Sequence, residues 1–218
     1  MRKTVLVGQQ FVNFPVHMAL LSSDVPVDAN NNSLASPDIK TASTTFTFSG
    51  ESYKTSAITV ATDFSHIVLA KLYVDATLGA VFAADATVSF YPDSAFKGRD
   101  AIFRAIGKLA RTYLTSSMSI GASSAPVGDE SNFSANDLVR LNGGTSELGR
   151  VVSTSTGVLN LEDPAEFTHS SGAAACKVLE IGGFSLYDGE SSNHLFAKIS
   201  FSAVQTVNVQ LDIVYTIS

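Results

Sequence analysis

Asp63-Phe64-Ser65-His66 places an acid, a hydroxyl and an imidazole within four consecutive residues, the set of groups that nucleophilic catalysis uses. Members of a triad must face one another across a site, whereas neighbours on a strand point to opposite sides. The four residues therefore read as a turn leading into a strand. A second concentration of titratable groups lies in Glu162, Asp163 and Glu166, beside His169. These carboxylates could face calcium, but the spaced acidic ligands and the glycine of a calcium loop are missing, so a solvated acidic loop is expected. The four histidines, His17, His66, His169 and His194, are scattered, and none lies two to four residues from another histidine or from the cysteine. Zinc therefore has no spacing signature. Phosphate-cradling, dinucleotide-binding, His-Glu-x-x-His and Gly-x-Ser-x-Gly patterns are absent. The expectation is a protein that is not an enzyme and holds no cofactor and no metal.

Cys176 is the only cysteine, which excludes an internal disulfide and CxxC chemistry. Beside Ala173, Ala174 and Ala175 it reads as a small buried residue. Asn31-Asn32-Ser33 and Asn132-Phe133-Ser134 match the glycosylation sequon, but without a secretory signal they are chance matches. Tryptophan is absent and most of the 14 phenylalanines fall at inward positions of expected strands, so the aromatic platforms that carbohydrate binding favours are not evident.

The elements that would position these groups are mostly strands. From Val207 to Ile217, Val207, Val209, Leu211, Ile213, Tyr215 and Ile217 alternate with Asn208, Gln210, Asp212, Val214 and Thr216. Alternate side chains point to opposite faces of a strand, so this segment has one apolar face and one largely polar face. Further short strands are expected at Thr44–Phe48, Ser56–Ala61, His66–Asp75 and Ala86–Tyr91, then at Asp137–Leu141, Gly149–Ser153 and Gly157–Leu161. The last are expected at Val178–Ile181, Phe184–Tyr187 and Leu195–Phe201, with turn signals between. Closely spaced strands without helices between them favour an antiparallel β-sandwich of jelly-roll type. Residues 22–45 are rich in Ser, Asp, Asn, Pro and Thr and read as a polar arm. One amphipathic helix is expected over about 97–116. Ile102, Ile106, Leu109 and Tyr113 recur at helical spacing there, with Arg104, Lys108 and Arg111 on the opposite side.

These elements divide the 218 residues into three expected parts. Residues 1–119 begin the sandwich and carry the arm and helix. Residues 120–177 form an inserted, small, barrel-like β module, and residues 178–218 return to complete the sandwich. Apolar residues make up 45% of the chain and charged residues only 16%, enough for a substantial core. The formal charge of −6 opposes the phosphate capture that nucleic-acid binding requires. No apolar run approaches a membrane span, and the run near the N-terminus is broken by Gly8, Gln9 and Gln10. Neither a nucleic acid nor a membrane is an expected partner, and the product is expected to be made in the cytoplasm.

Two stretches carry a family resemblance. Ser134-Ala-Asn-Asp-Leu-Val-Arg-Leu-Asn-Gly-Gly-Thr-Ser-Glu-Leu-Gly-Arg-Val-Val, followed by Gly157-Val-Leu-Asn-Leu-Glu-Asp-Pro and Thr168-His-Ser-Ser-Gly, resembles small β modules of tailed-bacteriophage structural proteins. Leu179-Glu-Ile-Gly-Gly-Phe-Ser-Leu-Tyr-Asp, Leu195-Phe-Ala-Lys-Ile-Ser-Phe and the alternating last strand are similar to the ends of phage virion accessory proteins. These are of the decoration, cement and fibre-base type. The resemblance implies a non-enzymatic virion component, most simply a capsid decoration or cement protein, with a tail, neck or fibre-base role as the alternative. Its partners would be copies of itself and other virion proteins such as the major capsid protein. Partner contacts would come from Asn30, Asn31 and Asn32 of the arm and from Arg104, Lys108 and Arg111 of the basic stripe. A different reading is a module that recognises a glycan or host surface through loops such as residues 142–147 and 163–172.

Overall fold

The computed structural model describes residues 38–61, 64–91, 101, 103–143, 145–185 and 194–217. They form ten strands: β1 (Asp38–Thr59), β2 (Phe64–Val74), β3 (Phe82–Tyr91), β4 (Phe103–Tyr113), β5 (Ser124–Pro126), β6 (Leu138–Leu141), β7 (Glu147–Ser155), β8 (Val158–Leu161), β9 (Ala174–Ser185) and β10 (His194–Ile217). There is no helix among the described residues.

The 24-residue β10 organises the sheet. Its first part pairs with β3 over Phe196–Phe201, and its last part pairs with β2 over Val209–Ile217. β3 pairs with β4, β4 with β9, and β9 with β2, all antiparallel. The five strands β10, β3, β4, β9 and β2 thus form a closed barrel, which gives backbone partners to edges that would otherwise invite aggregation. β1 pairs with β10 outside the ring, and β6 pairs with β9 to start a lateral extension continued by β7, β8 and β5. Closure brings β9 very close to β2. A Cβ on Gly183 would sit 2.8 Å from the Ile67 carbonyl oxygen, so only glycine fits that position.

Two apolar cores result. The larger fills the barrel with residues such as Ile67, Leu72, Val88, Phe90, Leu109, Leu195, Ile199, Val209, Leu211 and Ile213. The smaller is built from Leu114, Met118, Val127, Phe133, Val139, Leu141, Val151, Leu159 and Leu161. β9 is a wall between them: Ala174 and Cys176 face the larger core, and Ala173 and Ala175 bracket them toward the smaller. A strand covered on both sides has no solvent-facing positions, which accounts for its run of four small, fully apolar residues.

Mainly β structure is what the sequence pattern implied, and the inward set of β10 from Val207 to Tyr215 is buried as expected. The pairing defines a closed barrel with an extension and does not by itself establish the expected sandwich. The expected amphipathic helix over 97–116 is corrected: residues 103–113 are strand β4, paired with β3 along its length. Arg104, Ile106 and Lys108 alternate outward and are exposed, whereas Leu109 to Thr112 are buried on both faces because β4, like β9, passes between the two cores. That doubly covered run puts apolar residues side by side and imitates helical spacing. Ile106, placed inside by the helical reading, is 72% exposed. The arm is also revised, because residues 38–45 belong to β1 and Ser43 and Thr45 bond to Asp212 and Gln210 of β10, both at 2.6 Å. Alternating Ser and Thr suits a strand as well as a loop. The rest of the arm, with Asn30, Asn31 and Asn32, lies outside the described residues.

This placement separates two neighbouring positions. Ile106→Asp is expected to leave the urea midpoint unchanged, whereas Leu109→Ala should cost about 2–5 kcal/mol through the cavity it opens in the barrel. A large loss of stability in Ile106→Asp would return that side chain to the core.

Candidate functional site

A set of polar groups converges on the outer face of β2 and β10, where Arg140 of β6 reaches Tyr73. Cross-strand register puts Lys71 opposite Asp212 and Tyr73 opposite Gln210. On β6, Arg140 is opposite Leu148 of β7 and Cys176 of β9. The Tyr73 hydroxyl donates to Asp212 Oδ2 at 2.7 Å, and Arg140 donates to the Tyr73 oxygen. The Arg140 guanidinium carbon also lies 4.8 Å from the centroid of the Tyr73 ring, and Nη2 donates to Ser146 Oγ at 3.1 Å. Asp212 Oδ1 accepts from Ser43 at 2.6 Å and from Gln210 Nε2 at 3.1 Å. Burial, together with the hydrogen bond to Asp212, holds the Tyr73 phenol above its ordinary range, so this tyrosine stays neutral and donates.

Two hollows flank this network and share Tyr73, Arg140 and Asp212 in their linings. The first, of about 700 Å³, has an apolar wall of Leu148, Leu161, Pro164, Ala165, Phe167 and Val178. Lys71, Arg140, Asp163, Glu166 and Asp212 also line it. The second, of about 560 Å³, has Ser43, Thr45, Asn142, Asn208 and Gln210 around it.

A buried pair fixes the wall of the first hollow. His169 is fully buried, and its Nε2 lies 2.6 Å from Glu147 Oε1, while Glu147 Oε2 accepts the Glu166 backbone N–H at 2.7 Å. One carboxylate thereby ties the start of β7 to the 163–169 loop, and the backbone of His169 exchanges two bonds with Met118. A separate pair joins Arg111 and Asp75 under the barrel rim, with Cys176 Sγ 3.5 Å from the Asp75 carbonyl oxygen. Arg111 is thus not part of an exposed basic stripe: it is buried and paired with Asp75. Arg104 and Lys108 stay on the outer face of β4.

The described residues among those whose types first suggested chemistry do not assemble. Asp63 lies outside the described residues, and His66 is paired into β2, where burial lowers its pKa. Glu162 is exposed, and His169 is sealed against Glu147. Cys176 is a free, buried thiol whose pKa burial pushes up to about 12. Among the described residues no cluster of His, Cys, Asp and Glu could hold a metal ion. The loops 142–147 and 163–172, by contrast, do come together through Glu147. Sequence reasoning missed Lys71, Tyr73, Arg140 and Asp212. Their only sequence signal is that each is a polar residue at an outward strand position, and which strands lie side by side is not written locally.

No protein-family model matches the chain, and no curated protein matches it by sequence. Among solved structures, VP17, a capsid protein of bacteriophage P23-77, overlaps with a TM-score of 0.19 at 8% identity, over 81% of this chain and 96% of that one. The structure of infectious bursal disease virus Gx strain gives a TM-score of 0.21 at 12% identity, over 85% of this chain and 42% of that one. The chain therefore spans less than half of that second protein. Overlaps of this size do not define a shared fold and carry no functional inference.

Two measurements probe the buried groups. Because only the thiolate is nucleophilic, Cys176 should resist iodoacetamide at pH 8 in the folded protein and react readily in denaturant. The raised thiol pKa also means that its contribution to stability is complete below the ordinary thiol value and is lost as pH climbs toward about 12. Fast alkylation under native conditions would show that the strand wall opens. Glu147→Ala should cost about 1–3 kcal/mol and speed hydrogen exchange at the Glu166 amide, which loses its acceptor.

Proposed function

We propose that the chain is a non-enzymatic structural component of a bacteriophage particle, acting as a capsid decoration or cement protein. Such a protein binds the assembled shell in preference to its free subunits and stabilises the shell by mass action. Its partners on this reading are copies of itself and neighbouring virion proteins, above all the major capsid protein. The observation that carries the reading is a division between inside and outside. Groups able to react are locked within the fold: His169 on Glu147, Arg111 on Asp75, and Cys176 as a neutral thiol. Large apolar side chains are left outside, Ile106 at 72% exposure with Arg104 and Lys108 on either side of it along β4. An apolar residue between two cations suits a partner surface that is apolar with an acidic rim. The resemblance of residues 134–218 to phage structural modules supports the same reading. A tail, neck or fibre-base position uses the same kind of surface and differs in copy number.

Peptide mass spectrometry of gradient-purified particles from cells expressing the chain tests this. The expected result is that the chain co-purifies at a copy number comparable to the shell subunit, and that Ile106→Asp lowers occupancy at least tenfold without loss of folding. A low copy number with immunogold label on the tail would favour the alternative position. Absence of the chain from particles would overturn the virion reading.

A further inference from the structure

We propose that the two hollows around Tyr73, Arg140 and Asp212 form a binding groove for a neutral saccharide. The proposal does not depend on whether the chain sits on a particle. Three features point to this class of ligand.

The first is the mixed lining. A pyranose ring has an apolar face of C–H groups and a rim of hydroxyls. The lining of the first hollow includes both apolar side chains, among them Phe167 at 38% exposure, and the polar Lys71, Arg140 and Asp212. Phe167 offers an apolar face to the C–H groups, and the polar side chains offer partners to the rim.

The second is the kind of hydrogen-bonding capacity left over. Among the described residues, the Lys71 ammonium and the Asn142 and Asn208 side-chain amides have no hydrogen-bond partner, and neither do the Asp163 and Glu166 carboxylates. Lys71 can only donate, the carboxylates can only accept, and the amides do both. A hydroxyl also does both, so a ring of hydroxyls can satisfy donors and acceptors alike. An anionic sugar would meet Lys71 favourably but would bring its charge beside Asp163 and Glu166, which selects the neutral class.

The third is preorganisation. Asp212 is held by Ser43, Tyr73 and Gln210, and Arg140 by Tyr73 and Ser146, so the side chains at the floor are fixed before a ligand arrives. The Glu147 bridge to His169 and Glu166 does the same for the loop that carries Phe167.

The full-length chain applied to an array of neutral and sialylated oligosaccharides, followed by calorimetric titration with the neutral oligosaccharide that gives the strongest signal, tests this. Saturable binding of a neutral oligosaccharide is expected. Phe167→Ala and Asn208→Ala should each weaken it at least tenfold with unchanged melting temperatures, since neither side chain belongs to a core. Three results would overturn the proposal: no binding of any neutral sugar at millimolar concentration by saturation-transfer NMR, binding confined to sialylated sugars, or binding unaffected by both variants. Particle association is read separately by mass spectrometry, so either proposal can fail without the other.

Discussion

Closure of the ring through β10 is the constraint on which the other features of this fold depend. A single strand must pair with β3 at one end and β2 at the other, and it needs length and an inward apolar set at each end to do so. Leu195 to Phe201 and Val207 to Tyr215 supply those two sets on either side of the outlying residues 202–206, and both sets enter one core. Pairing alone would not hold such a ring, since backbone hydrogen bonds exchange for bonds to water at little net gain; burial of the alternating face is what favours it. Gly183 removes the steric obstacle where β9 meets β2. A side chain there would press on the backbone of β2, which has far less freedom to move than a neighbouring side chain.

Closure has a consequence for β4 and β9. Both stay in the barrel wall while carrying the second core on their other side, so both are covered on two faces along part of their length. Polar groups in such positions need partners. Arg111 has Asp75 and its carbonyl oxygen, Thr112 accepts the Asp129 backbone N–H, and the Cys176 thiol stays neutral under strong desolvation. The need of His169 is met in part the same way, with Nε2 on Glu147, while its Nδ1 and Arg111 Nε have no hydrogen-bond partner among the described residues. These groups are ionisable by residue type but structural by position, and their burial removes them from the list of reagents.

How much of this was legible in the sequence follows from how local each feature is. The β10 alternation is written in consecutive residues and reads directly, as do the strands near Ala86–Tyr91 and Gly157–Leu161. β4 was misread because its character changes midway. Arg104 to Lys108 alternates between outside and inside, then Leu109 to Thr112 is buried throughout, and two different environments in eleven residues imitate a 3.6-residue period. Nothing within the segment distinguishes a helix stripe from a strand that passes between two cores, because the second core is supplied by residues as distant as Leu159. The groove was hidden for the same reason. Tyr73, Arg140 and Asp212 are separated by 67 and 72 positions and meet only because β2 is flanked by β10 and β9 and β9 in turn by β6. The two loops at its wall could be named from their Gly, Asn and Pro content, but not the carboxylate that joins them.

The seam between barrel and extension is where a rigid network and an accessible surface coincide, and this follows from the topology. On the outer face of a barrel strand, side chains normally stand in water and hold no fixed geometry. Here Arg140 of β6 reaches the Tyr73 side chain on β2, and Tyr73 is buried in its bonds to Asp212 and Arg140, whereas Lys71 and Asn208 stay partly exposed. Polar groups under partial cover become ordered without becoming inaccessible. A fully buried network would be structural only, and a fully exposed one would be mobile. The half-covered one is the arrangement in which the same hydrogen bonds can both fasten the extension to the barrel and hold a recognition surface in place.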